Sequence, residues 1–81
     1  MDKLNLQAAK INVKQIVDDN IQLIESITSK DVKLISHIQD DVIAFADSNT
    51  FNLVVRNLIT NAIKFTNEGG KIEIGAKEKN Y

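Results

Sequence analysis

The chain has 81 residues with no cysteine, no proline and a single histidine. It holds one domain at most, without disulfides or a structural zinc to staple it. Ten Lys and Arg against eleven Asp and Glu give a net charge of −1, which excludes the basic surplus of a nucleic-acid binder.

No apolar run approaches the roughly 18–20 residues of a membrane span. The start, Met1-Asp2-Lys3-Leu4, lacks the charged-then-apolar layout of a signal peptide, so the cytoplasm is the expected compartment. A hydrophobic fraction of 43% leaves an apolar core, or a partner chain, as the source of stability. Residues 3–11 alternate, with Leu4, Leu6 and Ala8 on one side, and predict a short strand. Asn12, followed three residues later by Gln15, predicts a helix start of the capping-box kind. Val13, Ile16, Val17, Ile21, Ile24 and Ile27 then recur at spacings of three and four. They predict an amphipathic helix ending near residues 28–30.

Residues 32–38 (Val-Lys-Leu-Ile-Ser-His-Ile) predict a strand and residues 42–46 a second. A hairpin through Gln39-Asp40-Asp41 is the simplest connection, although Asp-Asp is a weaker turn signal than Asn-Gly. Asp47-Ser48-Asn49-Thr50 offers four N-cap types in succession. A second helix is predicted from there to about Asn67, with Phe51, Val54, Val55, Leu58, Ala62 and Phe65 as its core stripe. Gly69-Gly70 ends it. Residues 71–77 alternate again, with Ile72, Ile74 and Ala76 facing inward, and predict a half-buried strand. The order strand, helix, strand, strand, helix, strand predicts an α+β two-layer sandwich. Its mixed or antiparallel sheet carries both helices on one face.

At 100° per residue, Asn57, Asn61 and Lys64 fall within an arc of about 60° on the second helix. They lie beside the expected core stripe, with Asn61 next to Val54. Asn offers an uncharged oxygen of the kind Mg²⁺ accepts, and Lys a point charge for a phosphate. The same three residues also suit an ordinary solvated face. Arg56 and Thr60 point away from the strip and read as surface residues. His37 reads as a partly exposed strand histidine.

The string Asn57-Leu58-Ile59-Thr60-Asn61-Ala62-Ile63-Lys64-Phe65-Thr66, followed by Gly69-Gly70 and Lys71-Ile72-Glu73-Ile74, closely resembles the N box of sensor histidine kinases. The N box would span about residues 51–66, and Asp47 matches the aspartate that often precedes it. The resemblance implies a Bergerat-type ATP-binding fold, of which residues 1–81 would be a single partial domain, the N-terminal half. It also implies that Asn61 is the Mg²⁺ ligand, Asn57 its companion at the nucleotide and Lys64 the phosphate contact. Phe65 stands where the family has an aromatic residue beside the nucleotide, and it falls equally on the predicted core stripe.

The parent protein is then expected to bind Mg·ATP and phosphorylate a histidine on a dimerisation domain. It would work with a response regulator, in the cytoplasm or anchored to a membrane with this domain in the cytoplasm. The family's adenine-recognising Asp-x-Gly-x-Gly box and its Gly-rich lid are absent from these 81 residues, and His37 lacks the surroundings of a phosphoacceptor. The chain by itself is therefore expected to be inactive. Two alternatives stand beside this reading: a non-catalytic oligomeric fragment or binding module, and part of another ATPase of the same fold group. Self-association through an exposed sheet edge is expected.

Overall fold

The computed structural model describes residues 8–75. Its elements are β1 (Ala8–Asn12), α1 (Val13–Ile27), β2 (Lys33–Ser36), β3 (Ile43–Asp47), α2 (Ser48–Phe65) and β4 (Lys71–Ile74). The predicted strand positions Leu4, Leu6, Ala76 and Lys77 lie outside the described residues.

Both helices begin where a side chain can satisfy an otherwise unpaired amide. Asn12 caps α1 by accepting from the backbone N–H of Gln15 at 3.0 Å. Gln15 does not complete the box: its Nε2 donates to Asp19 at 2.9 Å, one turn further on. Asp47 caps α2 by accepting from the Thr50 amide at 2.9 Å. Each cap is worth about 1 kcal/mol.

The end of α2 differs from expectation. The helix stops at Phe65, and Thr66 takes an extended conformation with its N–H on the Ile63 carbonyl. The glycines serve the turn that follows. Gly70 N–H donates to Asn67 O at 3.0 Å, and Gly69 has φ +82°, open to it because it lacks a Cβ. This turn is tied to the segment after α1. Gly69 N–H donates to Asp31 O at 2.7 Å and Lys33 N–H to Gly70 O at 3.0 Å, while the Asp31 amide donates to Glu68 Oε2 at 3.1 Å.

The expected hairpin between β2 and β3 does not form. Among the described residues there are two two-stranded sheets. β1 pairs antiparallel with β3, from Ala8 opposite Asp47 to Asn12 opposite Ile43. β2 pairs parallel with β4, from Lys33 opposite Lys71 to Ser36 opposite Ile74. A tight two-residue hairpin turn needs positive φ, and no non-glycine residue in the described chain adopts it. Gln39-Asp40-Asp41 still makes a turn, with Val42 N–H donating to Gln39 O at 3.3 Å, but it does not bring the two strands together, and each strand takes a partner from across a helix.

The core joins Val13, Val17 and Ile24 of α1 to Leu34 and Ile38 around β2 and to Val55, Ile59 and Ile63 of α2. The α1 stripe is as predicted, except that Ile27 is exposed. The α2 stripe is not. Val55 is buried, and Phe51 and Ala62 are half-buried, but Val54, Leu58 and Phe65 face outward. The reason is composition: α2 carries apolar residues around most of its circumference, so spacing alone admits two stripes about 120° apart. The arc centred on Ile59 is the one that meets α1.

Candidate functional site

The site is the outer face of α2. Taking Asn57 as the origin, the buried residues Val55, Ile59 and Ile63 lie between about 160° and 240° around the helix. Asn57, Asn61 and Lys64 occupy the opposite side and are all exposed. The strip thus lies across the helix from the core, whereas the sequence placed it beside the core. Val54, Phe65 and Leu58, at about 60–100°, form an exposed apolar flank next to Asn61, with Phe65 80% and Leu58 65% exposed.

Phe65 therefore does not pack into the core. The Lys64 ammonium sits 5.8 Å from the centroid of the Phe65 ring, within cation–π range. Neither side-chain amide of Asn57 or Asn61 makes a hydrogen bond among the described residues. The helix also has Arg56 and Lys64 as its only charged residues. The face thus combines uncharged oxygen donors, a cation and apolar surface, with no competing carboxylate. Such a set has little to hold a bare Mg²⁺. It fits a metal that arrives with its negative charge on a polyphosphate.

Two residues that pattern reading missed hold this helix in place. Asn20 sits in the α1 stripe between Val17 and Ile24 and is 2% exposed. Its Nδ2 donates to Ile16 O and to Asn52 Oδ1, both at 2.8 Å, and its Oδ1 accepts from Arg56 Nε at 3.3 Å. Arg56, expected at the surface, is exposed and also reaches back across α2 to α1. The available signal was a polar residue at a core-phase position, since a buried amide must find partners.

Lys30 is the second. It follows α1, and its Nζ donates to Ile63 O at 2.7 Å and Lys64 O at 3.4 Å. These carbonyls stand at the end of α2, where Ile63 O also accepts from the Thr66 N–H, and a cation suits that end of the helix dipole. Thr60, also expected at the surface, is exposed, and its hydroxyl donates back to Arg56 O at 2.9 Å and Asn57 O at 3.1 Å. His37 follows β2, is exposed, and pairs through Nε2 with Glu73 Oε1 at 2.8 Å. The hydrogen bond from His37, and secondly the charge of Lys71, hold the Glu73 carboxyl below its ordinary range.

A groove of about 430 Å³ runs beside the apolar flank, with Leu58, Ile59 and Ala62 of α2 on one wall and residues 72–75 on the other. Its lining is apolar, and the Asn57–Asn61–Lys64 strip lies outside it. Among the described residues no cluster of His, Cys, Asp and Glu could hold a metal ion, and no helix is long and apolar enough to cross a membrane.

No family model matches the chain. Over 62 residues, 75% of its length, it is 42% identical to the adaptive-response sensory kinase SasA of Crocosphaera subtropica, and it spans 15% of that protein. Its fold matches that of the cytoplasmic segment of the histidine kinase QseC with a TM-score of 0.79 at 20% identity. That match covers 95% of this chain and 54% of the other. The chain is thus similar in sequence to a stretch of a sensory kinase and shares its fold with part of a histidine kinase.

Proposed function

We propose that residues 8–75 belong to the nucleotide-binding part of a sensor histidine kinase, with the outer face of α2 as the N box that contacts Mg·ATP. The observation that carries this is the composition of that face. Two unpaired carboxamides and an ammonium share one arc and lie beside an exposed apolar flank. The 42% identity to a sensory kinase supports the same reading.

Asn61 would offer its oxygen to Mg²⁺, with Asn57 one turn before it at the metal's outer shell or the nucleotide. Lys64 would take a phosphate oxygen as a point charge, and Phe65 with Val54 would give the nucleotide an apolar surface. Magnesium, when bound, neutralises charge on the phosphates. The contribution of the chain itself is positioning: Asn20 and Lys30 fix the rotation and end of α2, and hence where the three polar groups stand. In the parent, the γ-phosphoryl group would pass to a histidine of a dimerisation domain and on to a response regulator, in the cytoplasm.

The test is titration calorimetry with Mg·ATP on the chain and on a parent extended by about 60–80 residues, the size needed to reach an ordinary domain. The short chain should bind no better than about millimolar, since one open face buries little of a ligand. The extended protein should bind at least about tenfold tighter and lose that gain with Asn61→Ala. Binding by the extended protein that is indifferent to both Asn61→Ala and Lys64→Ala would overturn the assignment.

A further inference from the structure

Lys64 stands on the last turn of α2, where Lys64 and Phe65 are exposed and Ile63 is buried. Packing holds this turn from one side, and a helix end frays unless its last carbonyls find partners. Two residues supply them. Thr66 gives its hydroxyl to Ala62 O at 2.6 Å and its N–H to Ile63 O at 3.2 Å. Lys30 gives its ammonium to Ile63 O at 2.7 Å and to Lys64 O at 3.4 Å.

The two carbonyls gripped by Lys30 flank one residue. Ile63 O belongs to the peptide unit before the Lys64 Cα, and Lys64 O to the unit after it. Each unit is planar, so a group bonded to both restricts the two backbone dihedrals of Lys64 and the direction of its side chain. Lys30 is itself held in place. Its N–H donates to Thr28 Oγ1 at 3.3 Å, and its carbonyl accepts from Val32 N–H at 3.0 Å. The next residue, Asp31, is bonded through its backbone to Gly69 and to the Glu68 carboxylate. Asn57 and Asn61 are fixed differently. They lie about two turns and one turn earlier, between the buried Val55, Ile59 and Ile63, and Arg56 braces that part of α2 against Asn20 at 3.3 Å.

We infer that Lys30 is a positioning residue for Lys64. Its ammonium fixes the direction of the Lys64 side chain, and so the point charge offered to a phosphate, without touching the ligand. The inference rests on the function proposed above and divides that site in two. The phosphate contact depends on Lys30, and the carboxamide pair does not.

The test is a mutant cycle read by Mg·ATP titration of the extended protein. Lys30→Met keeps the length of the side chain and removes the ammonium. It should weaken binding about three- to tenfold in the unaltered background and by the same factor beside Asn61→Ala, but less than about 1.5-fold beside Lys64→Ala. Lys30→Arg keeps a cation within reach of both carbonyls and should bind within about twofold of the unaltered protein. A purely structural role would weaken binding equally in every background. Hydrogen exchange on the 81-residue chain without nucleotide gives a second reading. Lys30→Met should lower protection of the Lys64, Phe65 and Thr66 amides about fivefold or more relative to those of Leu58 and Ile59. Equal losses beside Lys64→Ala, or an equal fall in protection along the whole helix, would overturn the inference. Binding that needs Lys64 but is indifferent to Lys30→Met would overturn it alone. Binding indifferent to Lys64→Ala would remove the phosphate contact from the function proposed above, and this inference with it.

Discussion

The two faces of α2 have similar apolar content and opposite fates. The inner face, Val55, Ile59 and Ile63, is buried against α1. The outer face carries Val54, Leu58 and Phe65 as well, yet these stay in solvent beside Asn57, Asn61 and Lys64. A helix that needed only to fold would leave polar residues there. Apolar surface that contributes little to the fold, next to polar groups with no internal partner, is what a binding face requires. The inner face therefore acts on stability; in the function proposed above the outer face serves recognition, and the two should separate by mutation.

The largest expected effect is on the inner face. Ile59 is 3% exposed at the centre of the α1–α2 contact. Ile59→Ala should cost about 2–4 kcal/mol, against a total of roughly 4–12 kcal/mol for a chain of this length. Phe65→Ala removes a larger side chain from the outer face and should change stability by no more than about 0.5 kcal/mol. Urea denaturation of the two variants side by side measures the contrast. Equal losses would mean that Phe65 is buried after all and that the faces are not distinct.

The Asn20 network should come next. Asn20→Ala leaves Asn52 without its donor and Arg56 without its acceptor at the α1–α2 contact, at a cost of about 1–2 kcal/mol. Both stranded partners lie near water, which keeps the figure toward the lower end. A double-mutant cycle with Arg56→Ala isolates the cross-helix bond. Strict additivity would show that the 3.3 Å contact carries no energy. Since this network fixes the rotation of α2, it also decides which residues of the helix form its outer face.

How far these features could be read from the sequence follows the range of the interactions. Asn12 was legible as a cap, and Asp47 as one of four candidates in succession, because a cap is settled within four residues. The order of the six elements and the burial of Val13, Val17 and Ile24 were legible for the same reason: their periodicity is local. The pairing of β2 with β4 was not. It depends on Lys33 meeting Lys71 across 37 intervening positions in the chain, and nothing near Asp40 shows that the turn there leaves the two strands unpaired. The inner face of α2 was hidden for another reason. Two apolar arcs compete on one helix, and only α1 selects between them. Asn57, Asn61 and Lys64 were correctly placed on one arc, because the helical angle is a local property. That the arc lies opposite the core was not legible, because it depends on which stripe docks.

The smallest expected effect lies on the outside of the second sheet. Glu73 is half-exposed, accepts a hydrogen bond from His37 at 2.8 Å and has Lys71 Nζ at 3.9 Å. Its folded carboxyl is held below the ordinary range, by the His37 bond first and the Lys71 charge second. A carboxyl depressed on folding binds fewer protons in the folded than in the unfolded state. Its contribution is thus fully present above the unfolded value of about 4.3 and is lost as pH falls through the lower folded value. The urea midpoint should therefore decline from about pH 5 to about pH 3 more steeply in the unaltered chain than in Glu73→Gln, with other carboxyls contributing equally to both. Because the pair is exposed, about 0.5 M salt should shrink the difference. Parallel pH curves for the two proteins would remove the His37–Glu73 pair from the account of the β2–β4 sheet. A difference that survives salt would mean that Glu73 is more enclosed than an outer-face residue should be.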